Sequence, residues 1–110
     1  MPVKTVFVIV SPDGDPEKHI ATIRTAGLEI TTVVCKYLDV DQVARVCKDM
    51  VENQGVETII VCPAFTHEHL GRLQSAVGGD VPISVARSDS PGARRTAELC
   101  REAGWFDENS

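Results

Sequence analysis

Three strand-length apolar runs constrain this chain most: Val6–Val10 (VFVIV), Thr31–Cys35 (TTVVC) and Thr58–Cys62 (TIIVC). The first is apolar at every position, so a strand built from it has no side suited to water. A run of that kind belongs in a sheet covered on both faces, as parallel sheets are in α/β proteins. The first strand, Val3–Val10, is therefore predicted to be central and buried on both sides.

The segments between these runs supply the helices. Ser11-Pro12-Asp13-Gly14-Asp15-Pro16 is a turn cluster in which Asp15 can cap a helix beginning at Pro16. That helix is predicted to reach Thr25, with Ile20 and Ile23 inward and Gly27 as its stop. Leu28–Cys35 reads as a second strand, more polar than the first and suited to a sheet edge. Asp39 and Gln42 have capping-box spacing, and Val40, Val43, Ala44, Cys47, Met50 and Val51 recur every three or four residues, which predicts a helix ended by Gly55. Glu57–Cys62 is the third strand, and a helix from Thr66 buries Leu70, Leu73 and Val77 before Gly78-Gly79. Val81–Arg87 is the fourth strand. Ser90-Pro91 repeats the cap-then-proline signature and predicts a last helix over 92–103, with Ala93, Ala97 and Cys100 inward, followed by Trp105 and Phe106 folded back on the body or against another subunit.

The expected fold is a single three-layer α/β domain over residues 1–110, with a four-stranded parallel sheet of order 2-1-3-4 and a βαβαβαβα topology of flavodoxin-like or Rossmann-like type. At 110 residues the chain is long enough to bury a core without metal or disulfide staples. A net charge of -5 disfavours nucleic acid and anionic membrane as partners, since both call for a basic face. Cys35, Cys47, Cys62 and Cys100 form no C-x-x-C pair, and no secretory leader precedes the first strand, so a reduced, cytoplasmic protein is expected. No run approaches the roughly 20 apolar residues that cross a bilayer.

In a parallel sheet the strand ends share one rim, and ligands collect where strand ends meet helix N-termini. That places Ser11, Asp13, Cys62, Thr66, His67, His69, Arg87, Ser88 and Asp89 together. Cys62, at a strand end before a helix, suits a nucleophile or acid/base, with His67 as its assistant; the plainer reading is a small apolar residue closing a buried strand, since buried thiols are commonly inert. Ser11, Asp13, Thr66, His69, Arg87, Ser88 and Asp89 are the ligand-binding candidates, for a small polar or anionic metabolite. His67 and His69 point about 200° apart on a regular helix, so the pair is not expected to share a metal. Phospho-acceptor receiver domains carry acidic residues in the place of Asp13 and Asp15, but Cys62 stands where their acceptor aspartate would be. Gly14 alone makes neither a dinucleotide fingerprint nor a P-loop, so no cofactor is assigned.

The SPDGDPEKH turn, the CPAFTHEH segment with Cys62, Phe65, His67 and Glu68, and the AVGGDVPISVAR strand resemble a family of small bacterial proteins known as a domain of unknown function. The resemblance covers most of residues 3–90 and implies an α/β fold without an activity to transfer. Three readings stand at this stage. The first is a homodimeric binding module with its ligand at the strand-end rim. The second is an enzyme that uses Cys62, and the third is a purely structural or interaction protein.

Overall fold

Val3–Ser11 (β1) runs through the sheet hydrogen-bonded to a parallel neighbour on each side, Leu28–Lys36 (β3) and Thr58–Val61 (β4). The computed structural model describes residues 1–106. Ile20–Arg24 (β2) pairs antiparallel with β3, and Ile83–Val85 (β5) pairs parallel with β4. The sheet is thus five-stranded and mixed, in the order β2-β3-β1-β4-β5, and both the count and the order of the expected 2-1-3-4 sheet are corrected.

The difference arises between residues 16 and 25. Asp15 does cap a turn, accepting from the Glu17 amide at 3.0 Å, and the His19 amide donates back to the Asp15 carbonyl at 2.8 Å. The turn stops at His19. Ile20, Thr22 and Ile23 are β-branched and gain more from a half-covered strand than from a helix. Thr25 closes a hairpin to Leu28, donating its amide to the Leu28 carbonyl at 2.8 Å and accepting the Leu28 amide on Oγ1 at 3.0 Å. Across the hairpin, Thr22 pairs with Thr31 (2.9 Å) and Arg24 with Glu29 (2.7 Å). β3 is consequently an interior strand, with β2 at the edge.

Val40–Gln54 (α1) and His67–Val77 (α2) cover the sheet. Asp39 caps α1 through the Gln42 amide (3.0 Å), and Gly55 ends it in the left-handed region at φ 72°, where a side chain would be strained. The connections β3–α1–β4 and β4–α2–β5 both step across the sheet in the same direction. Right-handed crossovers then set both helices on one face, where they touch and Arg72 pairs with Asp41. β1 steps the other way, to β3, and a helix in that connection would have covered the opposite face. A strand stands there instead, so the expected three layers are two.

The core is correspondingly one-sided. On the helix face Val6, Val8, Val33, Cys35, Ile59 and Val61 are almost wholly buried beneath Val43, Cys47 and Met50 of α1 and Leu73 of α2. Each such side chain contributes about 1.5–3 kcal/mol relative to exposure. The alternate residues Phe7, Ile9, Ile30, Val34 and Ile60 are only half-buried and lie outside that core. The expectation that the first strand is buried on both faces is met on one face within the chain.

Gly92–Glu102 (α3) buries none of its side chains, and Ala97, predicted inward, is exposed. Pro91, not Ser90, occupies the cap position, and no side chain caps the helix. Beyond α3, Trp105 and Phe106 pack on Tyr37 at centroid distances of 6.1 and 6.2 Å, which brings the end of α3 to the end of β3. No described helix is long and apolar enough to cross a membrane.

The loop from β1 to β2 passes so close to β3 that a Cβ on Gly14 would lie 2.1 Å from the Cys35 carbonyl oxygen. Because the obstacle is backbone, relief requires the loop or strand to move. Gly14→Ala is expected to cost about 2–4 kcal/mol in urea unfolding; a loss below about 0.5 kcal/mol would show that the loop does not rest on β3.

Candidate functional site

The predicted rim residues stand on three loops, after β1, between β4 and α2, and after β5, and the side-chain hydrogen bonds described there are local. After β1, the Ser11 hydroxyl donates to Asp13 Oδ1 at 2.5 Å, which holds the exposed Asp13 carboxyl below its usual 3.8. After β4, Cys62 is half-buried with its amide donating to the Val8 carbonyl (3.0 Å), and its own carbonyl accepts from the Phe65 amide (3.4 Å). At the start of α2, Thr66 Oγ1 accepts from the His69 amide while His69 Nδ1 accepts from the Thr66 amide, both at 3.2 Å. That reciprocal box assigns the His69 proton to Nε2 and fills two of the donors a helix N-terminus offers an anion. After β5, Arg87 pairs with Asp89 at 2.8 Å, both exposed, beside an exposed Ser88.

The predicted site residues therefore form three local pairs, Ser11–Asp13, Thr66–His69 and Arg87–Asp89, and no described hydrogen bond joins one pair to another. His67 is exposed on the first turn of α2, and no described hydrogen bond links it to Cys62. The hollow at this end of the sheet measures ≈ 10 Å³, about the room of one water. Tyr37, Leu38, Asp39, Phe65 and His69 line it, so His69 alone of the predicted set reaches it. Leu38 stands at its mouth, 72% exposed and at φ 69°, a conformation that a leucine holds only under strain. Among the described residues no group of three or more His, Cys, Asp or Glu is placed to hold a metal ion.

A larger space was not foreseen from the sequence. A groove of ≈ 420 Å³ lies between α1 and the β2–β3 side of the sheet, opening at the loop that follows β1. Ile20, Val33 and Met50 supply apolar surface; Gln42, Arg45 and Asp49 line it from α1, and Asp15 and Glu17 from the loop. Gln42, Arg45 and Asp49 recur at helical spacing along one flank of α1, which is the signal the sequence did carry. Arg45 is exposed and makes no described hydrogen bond or ion pair, so its guanidinium is available to a ligand. The groove has the size of small-molecule sites, about 300–1,000 Å³, and its lining mixes apolar surface with a larger share of polar and charged side chains.

The fold and groove define a small mixed-sheet α/β domain covered by helices on one face. The chain belongs to a family of unknown function, DUF6506, whose model matches residues 3–100. Comparison with curated proteins and with solved structures gives no match.

All four cysteines are free thiols. Burial raises Cys35 from the ordinary 9.0 to about 11, with Asp39 adding to the shift, and raises Cys47 to about 12, with Cys35 adding. Both stay protonated in the fold at a pH where the unfolded chain ionises them. The sign follows: stability is unaffected below pH 9 and falls as the pH rises from 9 through about 11 to about 12. Denaturant melts across that range are expected to show the decline, and a thiol reagent at neutral pH is expected to modify Cys62 and Cys100 while sparing Cys35 and Cys47. Rapid labelling of Cys47 in the folded protein would contradict the burial beneath α1.

Proposed function

We propose that this protein is a single-domain, cytoplasmic, homodimeric binding module for a small polar ligand carrying an anionic group. The observation that carries the reading is the groove beside α1, with the unpaired Arg45 on one wall and apolar surface from Ile20 and Val33. A carboxylate or phosphate on the ligand meets Arg45, hydrogen-bond donors on it meet Asp49 or Asp15, and its apolar part rests on the sheet. Asp15, Pro16 and Glu17 of the loop after β1 line the groove, and on this reading Ser11 and Asp13, earlier in the same loop, would be recruited from beyond it. Thr66 with His69, and Arg87 with Asp89, already partner one another elsewhere on the rim, with Ser88 exposed between the latter two. The alternative reading, an enzyme with Cys62 assisted by His67, draws support from no described contact between the two.

The test is a thermal-shift and calorimetric screen with small carboxylates, amino acids and phosphorylated metabolites. A ligand at 100 times its dissociation constant is expected to stabilise the protein by about 2.7 kcal/mol. Arg45→Ala, at an exposed position, is expected to change stability by less than about 0.5 kcal/mol and to weaken that ligand by roughly 10- to 100-fold. Binding unaffected by Arg45→Ala and by Val46→Trp, which would fill the groove from a further lining position on α1, would exclude the groove as the binding site.

A further inference from the structure

The sequence and the structure disagree about one face of the sheet, and the disagreement identifies a partner. The central strands read as runs without a wet side, yet among the described residues the core that covers them lies on the α1–α2 face, and α3 buries none of its side chains. On the other face Phe7, Ile9, Ile30, Val34 and Ile60 stand side by side across three strands in register, with Ile23 beyond them on β2. Ile23 is 67% exposed. We propose that this open sheet face is the homodimer interface, packed against the same face of a second copy.

Three observations select a second copy. The first is area: β1 and β3 pair over nine residues, and five strands lie side by side. At about 3.3 Å per residue and about 4.8 Å between strands, the continuous part of the face offers roughly 500–700 Å² per copy. Two copies then bury roughly 1,000–1,400 Å², which reaches the range of specific interfaces. The second is charge, because none of the residues facing out from the middle of this face is ionisable, although 25% of the chain is charged. A nucleic acid or a highly charged protein finds nothing there to pair with, whereas an uncharged face is complementary to itself under a two-fold axis. The third is that the polar groups in the middle of the face are neutral hydroxyls, Thr32 beside Phe7 and the Thr5–Thr58 pair bonded at 2.7 Å, so an uncharged partner surface suffices. Sheets with such faces stack about 10 Å apart with strands aligned within about 30°, and a patch of this size left in water is a liability for a monomer.

This inference rests on the homodimer in the proposed function and adds its surface. The test is sedimentation equilibrium on the wild type and on Ile23→Lys, Ile30→Lys and, as a control away from the face, Leu38→Lys, with circular dichroism to verify the fold. Wild type and Leu38→Lys are expected to be dimeric at tens of micromolar, while both face variants weaken the dimer by more than about a hundredfold through like charges meeting across the axis. Ile23 is exposed enough that its lysine variant folds in any case. A wild type that stays monomeric overturns both the dimer and this surface. A dimer unmoved by Ile23→Lys and Ile30→Lys overturns the surface alone.

Discussion

The constraint on which the structure depends is that its helices cover one face of the sheet. Val6, Val8, Val33, Ile59 and Val61 are fixed between the sheet and the α1–α2 pair with almost no exposure. That packing holds β3, β1 and β4 in register. It follows from handedness, because both βαβ crossovers travel the same way across the sheet. The first connection travels the other way and contains no helix. The groove and the bare face both follow from that one substitution of a strand for a helix.

The strand β2 links the two. By pairing with β3 it extends the sheet past the reach of α1, and the uncovered strip on the helix face becomes the groove beside Arg45 and Asp49. On the other face it extends an apolar surface that no helix covers. A ligand in the groove would touch β2, β3 and α1 together, and β2 and β3 also form half of the open face. The proposed binding and the proposed association would thus share structural elements.

Much of this was legible in the sequence. The three apolar runs located β1, β3 and β4, the stripe from Val40 to Met50 located α1, Asp39 was legible as its cap, and Thr66, read as a helix start, is the cap one residue before α2. The error lay at Ile20–Arg24, where two isoleucines three residues apart fit a helical stripe, while β-branching at Ile20, Thr22 and Ile23 fits a strand. The antiparallel partner that decides the matter is supplied by tertiary structure. A helix at that place would leave neither the groove nor the bare face. Ser11 ends β1, Cys62 follows β4 and Arg87 lies shortly after β5. The pairing of rim residues into separate local contacts, such as the Thr66–His69 box, depends on rotamers that spacing does not reveal.

The central claim is that one face of the sheet is buried by the chain and the other by a second copy. Methyl NMR with a soluble paramagnetic agent tests it most directly, read over a dilution series. The account predicts that the methyls of Val8 and Val61 stay shielded at every concentration, while those of Ile9, Ile30, Val34 and Ile60 are shielded in concentrated solution and become accessible on dilution. Accessibility of the second set at every concentration, or shielding that survives dilution to the monomer, would contradict it.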